Sequence, residues 1–376
     1  MPIRYKIAEH VVGIIESLHK AGFESYLVGG AVRDLLIGLE PKDYDISTSA
    51  TPEQIKHLFG RRKVMIIGKR FRLAHYYHGH EIVEISTFRR KPDKLEPVVT
   101  PGKKLMFHDN SYGTSYEDAF RRDFTVNAIF YDPVKNQIVD HCGQGMTDLE
   151  SGLVRMIGDP AERFIEDPVR ILRALKLVGQ YGFRIELGTE KQLIEKMPLI
   201  ANCSHSRLSL ELEKILKKTT CDKILKVLYE YNFLSYFLPY LHHHWNSPER
   251  EEMFRLLELR NARVDNGIYR NSLSLSVAAM AFPFVSSALE KADDSPLWKY
   301  YPRIERDIRQ LVLNMFRPHS FPKRLIFSVV MTIQLQTALL RDKSHRRTSR
   351  NPRYQHALEL HEILKQTGKI PCQELK

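Results

Sequence analysis

YLVGGAVRDLLIGLEPKDYDIST, residues 26–48, is the stretch that decides how the amino-terminal part of the chain folds. The apolar residues 26–28 predict a short buried strand, which runs into a turn at the Gly-Gly pair 29–30. Residues 32–37 predict one or two helical turns. Residues 43–47 alternate carboxylate and apolar side chains, which is typical of a half-buried strand. The stretch therefore predicts a strand, a glycine turn, a short helix and a second strand.

This stretch also carries a candidate binding site. Asp43 and Asp45 are expected to lie on one face of the second strand, because alternate residues of a strand share a face. Two adjacent carboxylates repel each other, and a divalent cation relieves that repulsion. Gly29 and Gly30 have no Cβ, so their backbone N–H groups can approach a phosphate closely. The pattern predicts a site for a nucleoside triphosphate with magnesium, and the alternative is a polar hairpin with Gly-Gly at its turn.

The charge balance indicates a polyanionic partner. The 376 residues include 57 Lys plus Arg and 45 Asp plus Glu, which gives a formal net charge of +12. An excess of this size favours nucleic acid as the first candidate partner and a membrane surface as the second. Hydrophobic residues make up 43% of the chain and charged residues 27%, which is ordinary for a soluble globular protein. The length predicts two or three domains.

The sequence contains no apparent membrane or export signal. No run reaches the roughly 18 apolar residues of a spanning helix, and the longest one, residues 273–285, is interrupted by Pro283. The first ten residues, MPIRYKIAEH, lack the apolar core of a signal peptide. The four cysteines are scattered without the spacing of metal ligands. A reduced, cytoplasmic protein that does not bind membranes is therefore expected.

The pattern of predicted elements changes along the chain. The first 150 residues mix short strands with short helices, which predicts a mixed α/β module. Strands are predicted over residues 63–67, 71–78, 81–88, 125–131 and 137–141. Short helices are predicted over residues 52–59 and 115–122, and residues 90–118 form a polar stretch that predicts a long loop.

From residue 159 onward the apolar spacing is almost entirely helical. Helices are predicted over residues 159–179, 208–217, 223–231, 251–259, 274–288, 304–316 and 322–340. The fold class is thus an α/β head followed by an all-helical neck and body. We expect the head to cover residues 1–150, the neck 151–235, and the body with a basic carboxyl-terminal region 236–376.

Two stretches of the head could add charged groups to the site. GKRFRLAH, residues 68–75, places three cations around one aromatic residue. It is either a solvated edge strand or a grip for triphosphate or primer. Glu84 is a carboxylate on an otherwise apolar strand, and a buried acid is costly unless it is paired or bound to metal. It is therefore a candidate third carboxylate of the metal site, and a salt bridge to Arg89 or Arg90 is the competing interpretation.

A further stretch, RRDFTVNA, covers residues 121–128. Its two arginines, its acid Asp123 and its amide Asn127 suit ribose hydroxyls and triphosphate oxygens, because arginine binds such oxygens through two parallel hydrogen bonds. The alternative is the carboxyl-terminal end of a helix, where cations are favourable.

The last stretch, EDPVRILRALK, covers residues 166–176. Asp167 and Arg170 are three apart, so on a helix they are neighbours and can form a salt bridge. Held rigidly, such a pair could also read a base: the carboxylate accepts from an exocyclic amino group, and the guanidinium donates to a ring nitrogen. Adenine and cytosine fit this pattern, whereas guanine and uracil would be rejected. The pair cannot by itself separate adenine from cytosine.

Five motifs in order resemble the set of the class II nucleotidyltransferases, which include bacterial poly(A) polymerases and CCA-adding tRNA nucleotidyltransferases. They are GG-x-VRD, PKDYDIST, EISTFRR, RRDFTVNA and EDPVRILRA, between residues 26 and 176. Two features resemble the poly(A) polymerase branch. IIGKRFRLAH stands where CCA-adding enzymes typically carry G-T-x-x-V, and FPKRLIF with RYQHALELHEIL is similar to the carboxyl-terminal region of that branch.

The resemblance implies an adenylyl transfer from ATP to RNA 3′ ends, with CCA or A addition to tRNA as the alternative. Asp43 and Asp45 would hold two magnesium ions, which stabilise the attacking and leaving oxygens. Gly29, Gly30 and Arg33 would contact the triphosphate.

The resemblance also implies roles for residues of the later motifs. Asp123, with Arg122, would be a further essential acid near the ribose. Asp167 and Arg170 would read the base, with Arg173 in support. At position 176 the family usually has another arginine and this chain has Lys176, which lacks the two-pronged guanidinium. RNA would also be gripped by the body and by the basic patch 341–353.

Overall fold

The structure of the protein is a computed structural model. It describes residues 5–68, 72–91, 97–98, 106–107, 111–293, 304–341 and 348–368. The chain divides into two units, which we call the head unit and the helical unit. The head unit comprises Met1–Glu166 and Phe183–Leu193, and the helical unit comprises Asp167–Gly182 and Ile194–Lys376. The expected division into head, neck and body stays a prediction.

A seven-stranded mixed sheet forms the centre of the head unit, in the strand order β3-β4-β5-β2-β1-β8-β9. Its strands are β1 (Ser25–Val28), β2 (Asp45–Thr48), β3 (Val64–Ile67), β4 (Leu73–His78), β5 (Glu81–Thr87), β8 (Ile129–Asp132) and β9 (Gln137–Asp140). Strands β2 and β5 pair in parallel, with Asp45 opposite Glu84. The described part of the chain also has short strand pairs, β6 (Pro97–Val98) with β7 (Met106–Phe107) and β10 (Leu153–Val154) with β11 (Arg184–Ile185).

Among the described residues, six helices lie wholly within the head unit. They are α1 (Glu9–Lys20), α2 (Gly30–Leu36), α3 (Pro52–Phe59), α4 (Ser115–Arg121), α5 (Gly145–Glu150) and α6 (Pro160–Glu166). Helix α1 is amphipathic and buries four apolar residues at helical spacing: Val11, Ile14, Ile15 and Leu18. Helix α3 begins with a capping box between Thr51 and Gln54 and with a proline in its first turn. The amino-terminal α/β expectation is confirmed.

Helices make up almost all of the described residues after 166. They are α7 (Val169–Tyr181), α8 (Leu187–Lys196), α9 (His205–Leu216), α10 (Cys221–Glu230), α11 (Leu234–Phe237), α12 (Pro239–His243), α13 (Pro248–Asp265), α14 (Leu273–Asp293), α15 (Ile304–Met315), α16 (Lys323–Arg341) and α17 (Tyr354–Gln366). Helix α14 contains Pro283 and continues through it. Among the described residues, no helix is both long enough and apolar enough to span a membrane.

Some predicted elements differ in the structure. The helix expected over 159–179 is two helices, α6 and α7, because Pro168 lacks an N–H and disfavours helical backbone at Asp167. The strand expected from Thr125 starts instead as a 3-10 helix, Thr125–Asn127. Here the carboxylate of Asp123 accepts from the backbone N–H of Phe124 and from the Asn127 amide, and such local bonds compete with a strand ladder.

Gly179 in helix α7 has no room for a side chain. A Cβ at this position would lie 2.5 Å from the Cα of Ile224 in α10, closer than atoms pack. Gly13 in helix α1 has the opposite environment, with nothing within 4 Å of the same added atom. The two helical glycines therefore respond differently to the same added methyl group.

We expect Gly179→Ala to lower the free energy of unfolding by about 1–3 kcal/mol, because α7 and α10 must separate to admit the methyl group. Gly13→Ala should raise it by about 0.5–1 kcal/mol, because alanine favours the helix. Urea unfolding followed by circular dichroism measures both changes. Equal shifts in the two variants would contradict the close contact at Gly179.

Candidate active site

The glycine turn between β1 and α2 brings three predicted site residues together. Gly29 has φ 72°, a conformation that glycine adopts without strain. A Cβ added there would lie 3.4 Å from Nη1 of Arg122 and 3.8 Å from Oδ2 of Asp45. The turn, the acid of β2 and the arginine after α4 therefore meet at one place, as the sequence predicts.

Asp45 is the first residue of β2, and other carboxylates surround it. Its side chain is exposed, but the protein around it removes part of its hydration. That loss of hydration is the largest cause raising the pKa of Asp45 to about 6; the charges of Glu84 and Asp43 raise it further, and Arg122 opposes them. The arrangement favours a cation at this position, since a cation stabilises the ionised carboxylate.

Asp43 precedes the strand rather than belonging to it. It lies in a bend two residues before β2 begins, so the expectation that Asp43 and Asp45 share a face of one strand is wrong. Asp43 lines a cavity of about 560 Å³ together with Lys6, His10, Glu40, Lys42 and Tyr44. Its charge nevertheless acts on Asp45. The electrostatic coupling of the two acids thus agrees with the sequence, although the local backbone does not.

Glu84 has a different environment from the one expected. Half of its side chain is exposed, so the premise of a buried acid is wrong. Its Oε1 lies 3.4 Å from Nε2 of His75 on the neighbouring strand β4, and this contact replaces the salt bridge expected with Arg89 or Arg90. Glu84 still adds negative charge beside Asp45, because the two residues are register partners.

Arg122 is held in place by the head unit. Its Nη2 donates to Oδ2 of Asp118 at 2.9 Å and to Oγ of Ser47 at 3.2 Å. The guanidinium also lies over the ring of Phe130, 5.1 Å from its centroid. Arg163 of α6 donates to the carbonyl oxygens of residues 121 and 122. Sequence reasoning missed Asp118, although its spacing of four from Arg122 is a recognisable signal of a helical ion pair.

Hydrogen bonds join the first motif, GG-x-VRD, to the fourth, RRDFTVNA. Arg33, only 7% exposed, donates from Nη1 to Oδ1 of Asn127 at 2.6 Å. Asn127 donates from Nδ2 to Oδ1 of Asp123 at 3.1 Å. On its other side Arg33 binds Oδ1 of Asp34 through Nε at 3.0 Å and Nη2 at 2.7 Å. The chain of contacts fixes Asp123, and the adjacent Asp34 offsets the cost of burying Arg33.

Asp167 of the helical unit lies just before helix α7 and not inside it. Its Oδ1 accepts from the backbone N–H of Val169 at 3.2 Å, and its Oδ2 accepts from Nη2 of Arg207 in α9 at 2.7 Å. Sequence reasoning missed Arg207, because nothing local links residues 40 positions apart. The carboxylate is therefore oriented by two donors.

Lys176 is bound inside the helical unit. Its Nζ lies 2.7 Å from Oε2 of Glu211, which is buried. Burial alone would raise the pKa of Glu211, but the charges of Lys176 and Lys214 outweigh it and lower the pKa to about 2. The lysine that departs from the family pattern thus forms a buried ion pair between α7 and α9.

Two known protein families match the chain. Residues 25–155 match the family of the poly A polymerase head domain, and residues 182–244 match the probable RNA and SrmB-binding site of polymerase A. Poly(A) polymerase I of Escherichia coli O157:H7 is 33% identical over 367 residues, which cover 95% of this chain and 78% of that protein. The chain belongs to the family of bacterial poly(A) polymerases and CCA-adding enzymes. It is thus an RNA nucleotidyltransferase.

Other members of the family are also similar. The CCA-adding enzyme of Bacillus pumilus is 37% identical over 219 residues, covering 58% of this chain and 52% of that enzyme. The crystal structure of the Bacillus stearothermophilus CCA-adding enzyme in complex with CTP aligns with a TM-score of 0.60 at 23% identity. That alignment covers 95% of this chain and 82% of that one. The nucleotidyltransferase fold, a mixed α/β head followed by helices, is confirmed.

Some predicted features of this nucleotidyltransferase lie partly outside the described residues. Residues 69–71 of the basic stretch 68–75 and residues 342–347 of the basic patch 341–353 are among them. Of the described residues of the first stretch, Arg72 pairs with Glu53, and His75 pairs with Glu84. Within the ranges that the structure describes, no group of three or more His, Cys, Asp or Glu side chains is arranged to hold a metal.

The raised pKa of Asp45 gives a direct test of this geometry. We expect Glu84→Gln to lower the pKa of Asp45 from about 6 towards its ordinary value, because it removes the neighbouring charge that raises it most. Carbon NMR of ¹³Cγ-labelled aspartate, titrated between pH 3 and pH 8, measures the change.

Glu81→Gln is the matched control on the same strand. Glu81 pairs with His10 and does not contribute to the shift of Asp45, so this variant should leave the titration unchanged. An unchanged pKa in Glu84→Gln, or equal shifts in both variants, would contradict the proximity of Glu84 and Asp45.

Proposed function

We propose that this nucleotidyltransferase adds AMP from ATP to RNA 3′ ends without a template, as a poly(A) polymerase. The extent of the similarity carries this proposal: the likeness to poly(A) polymerase I runs over 95% of the chain. The likeness to the Bacillus pumilus CCA-adding enzyme runs over 58%. The basic stretch at 68–75 supports the same choice. CCA or A addition to tRNA is the second candidate, supported by the 37% identity to that CCA-adding enzyme within the shorter segment.

We further propose that Asp43 and Asp45 hold two magnesium ions. The donor set fits: hard carboxylate oxygens suit magnesium, and loss of hydration together with the charges of Glu84 and Asp43 disfavours the ionised form of Asp45 until a cation is present. Bound there, the ions would neutralise the triphosphate and stabilise the attacking and leaving oxygens. Because the protein offers few carboxylates, the phosphates of ATP would supply further ligands.

The residues around the metal pair would bind the triphosphate and the sugar. The 3′-hydroxyl of the RNA attacks the α-phosphorus of ATP, the bond to the β-phosphate breaks, and pyrophosphate leaves. Arg122, fixed by Asp118 and Ser47, would donate to the phosphate oxygens. The backbone N–H groups of Gly29 and Gly30 would do the same, and Arg33 would contribute positive charge behind them.

Asp123 would act beside the ribose. Its Oδ1 already accepts from Phe124 and Asn127, which keeps the side chain in one orientation. A carboxylate so held can accept a hydrogen bond from a ribose hydroxyl.

Base selection would belong to Asp167 and Arg170, with Arg173 in support. Asp167, oriented by Arg207 and by the N–H of Val169, would accept from the N6 amino group of adenine. Arg170 would donate to N1 of the ring. Guanine and uracil reverse this pattern and would leave buried polar groups unpaired.

Metal affinity should depend on pH through Asp45. Its pKa is about 6, so below that pH a proton competes with the cation. We expect the affinity for Mn²⁺, a magnesium substitute visible by electron paramagnetic resonance, to fall by about tenfold per pH unit below 6. Above about pH 7 it should stay constant with respect to this group.

Asp45→Asn separates metal binding from folding. It should abolish catalysis and weaken Mn²⁺ binding, yet raise the thermal midpoint of the metal-free protein at pH 7. Folding raises the pKa of Asp45 to about 6, so ionisation of this carboxylate destabilises the folded state. The stability of the unmodified protein therefore falls as the pH rises from about 4 to about 6, and asparagine removes that loss. The gain should vanish below about pH 4. Unchanged activity in this variant would refute the metal assignment.

The choice of nucleotide distinguishes the two candidate functions. The purified enzyme is offered each of the four nucleoside triphosphates on oligo(A) and on tRNA that lacks its CCA end. We expect long A tails on both RNAs. Addition of CMP to tRNA alone would overturn the poly(A) proposal, and the Asp45→Asn protein, purified in parallel, controls for a contaminating polymerase.

A further inference from the structure

A second cavity, of about 330 Å³, lies within the helical unit. The residues of its wall that matter here are Ser272, Ser274, Pro322, Arg324, Ser328 and Arg353. None of its lining residues is acidic. The active-site residues of the head unit, and the base-reading residues proposed above, are not among them.

Three long helices begin at this cavity. Ser272 immediately precedes α14, Pro322 immediately precedes α16, and Arg353 is the residue before α17. The first N–H groups of a helix have no partner within the helix, and its amino-terminal end carries a partial positive charge. Three such ends at one cavity, with no carboxylate in the wall, create an environment that attracts anions.

The cavity also carries full positive charges. Arg324 and Arg353 both line it, and among the described residues neither guanidinium is paired with a carboxylate. Arg207 of the same unit, in contrast, is paired with Asp167. Arg324 and Arg353 therefore remain available for an oxyanion, which arginine binds through two parallel hydrogen bonds.

A buried hydroxyl in the wall points independently to a ligand. Ser328 is 4% exposed, and among the described residues its Oγ has no hydrogen-bond partner. Leaving a buried hydroxyl without a partner costs about 1–3 kcal/mol. The neighbouring hydroxyls are ordered instead: Ser274 lies 3.0 Å from Oγ of Ser272 and 3.1 Å from Nδ1 of His356. Among the described residues, the hydroxyl of Ser328 therefore has no acceptor, unlike the hydroxyls of Ser272 and Ser274 beside it.

We propose that this cavity binds a backbone phosphate of the RNA substrate. The proposal rests on RNA being the substrate, and it holds whichever nucleotide the enzyme adds. The helix ends and the two arginines supply positive charge, and Ser328 supplies a hydroxyl donor. Leu273 and Leu325 complete the wall with apolar surface that suits the attached ribose better than a free ion. A phosphodiester satisfies both parts of the wall at once.

The test compares two double variants with equal loss of charge. Arg324→Gln with Arg353→Gln removes both arginines from the cavity. Arg306→Gln with Arg309→Gln removes two exposed arginines of α15, which do not line it. Binding of a fluorescein-labelled oligo(A) of 20 nucleotides is measured by anisotropy, without nucleoside triphosphate or metal, at several salt concentrations.

We expect the cavity variant to bind the oligonucleotide at least about tenfold more weakly than the control variant. Its plot of log affinity against log salt should be less steep by about 0.7 for each phosphate that the variant no longer neutralises. Equal effects of the two variants would overturn the proposal, because only general charge would then matter. Failure to add AMP would refute the poly(A) proposal but leave this comparison intact.

Ser328→Ala and inorganic phosphate complete the test. The alanine variant should bind the RNA more weakly without loss of thermal stability, because a hydroxyl that has no protein partner is removed. Phosphate, compared with chloride at equal ionic strength, should raise the thermal midpoint of the native protein and not that of the cavity variant. Stabilisation by phosphate with unchanged RNA binding in the cavity variant would overturn the proposal in favour of a free-phosphate site.

Discussion

The parallel pairing of β2 with β5 determines where the carboxylates of the candidate active site lie. It sets Asp45 opposite Glu84, and the bend before β2 places the negative charge of Asp43 close enough to act on Asp45. Loss of hydration, together with the charges of Glu84 and Asp43, raises the pKa of Asp45 to about 6, and the opposing charge of Arg122 does not cancel the shift. Ionisation of Asp45 therefore costs folding stability, and a bound cation would offset that cost.

The arginines of the site are paired with other groups of the protein. Both Arg33 and Arg122 are anchored by groups of the protein, Arg33 by Asp34 and Asn127 and Arg122 by Asp118. An anchored guanidinium has few orientations to lose when a phosphate arrives, so the free energy of binding is not consumed in ordering the side chain. A cation would thus stabilise the acids of the site, while its arginines are already held in position by protein groups.

The sequence was sufficient where the determining interactions are local. The glycine turn, the capped helix at Thr51 and the position of Asp45 follow from neighbouring residues, and the family motifs brought Gly29 and Arg122 to one site. Prediction from the sequence failed where the partner of a side chain is distant along the chain. The partners His75 of Glu84 and Arg207 of Asp167 come from other elements, and no periodic pattern links them. The break at Pro168 was missed because apolar spacing continues across it.

The same distance in sequence explains why helix α9 could not be connected in advance with the residues proposed to read the base. Arg207 of α9 binds Asp167 at the start of α7, and Glu211, one turn later in α9, binds Lys176. Arg170 and Arg173 therefore stand between two ion pairs made to the same helix. Selection of a base without a template requires donors and acceptors that do not readjust to the wrong base, because a yielding site would accept all four. Lys176, through its ion pair with Glu211, fixes α7 against α9.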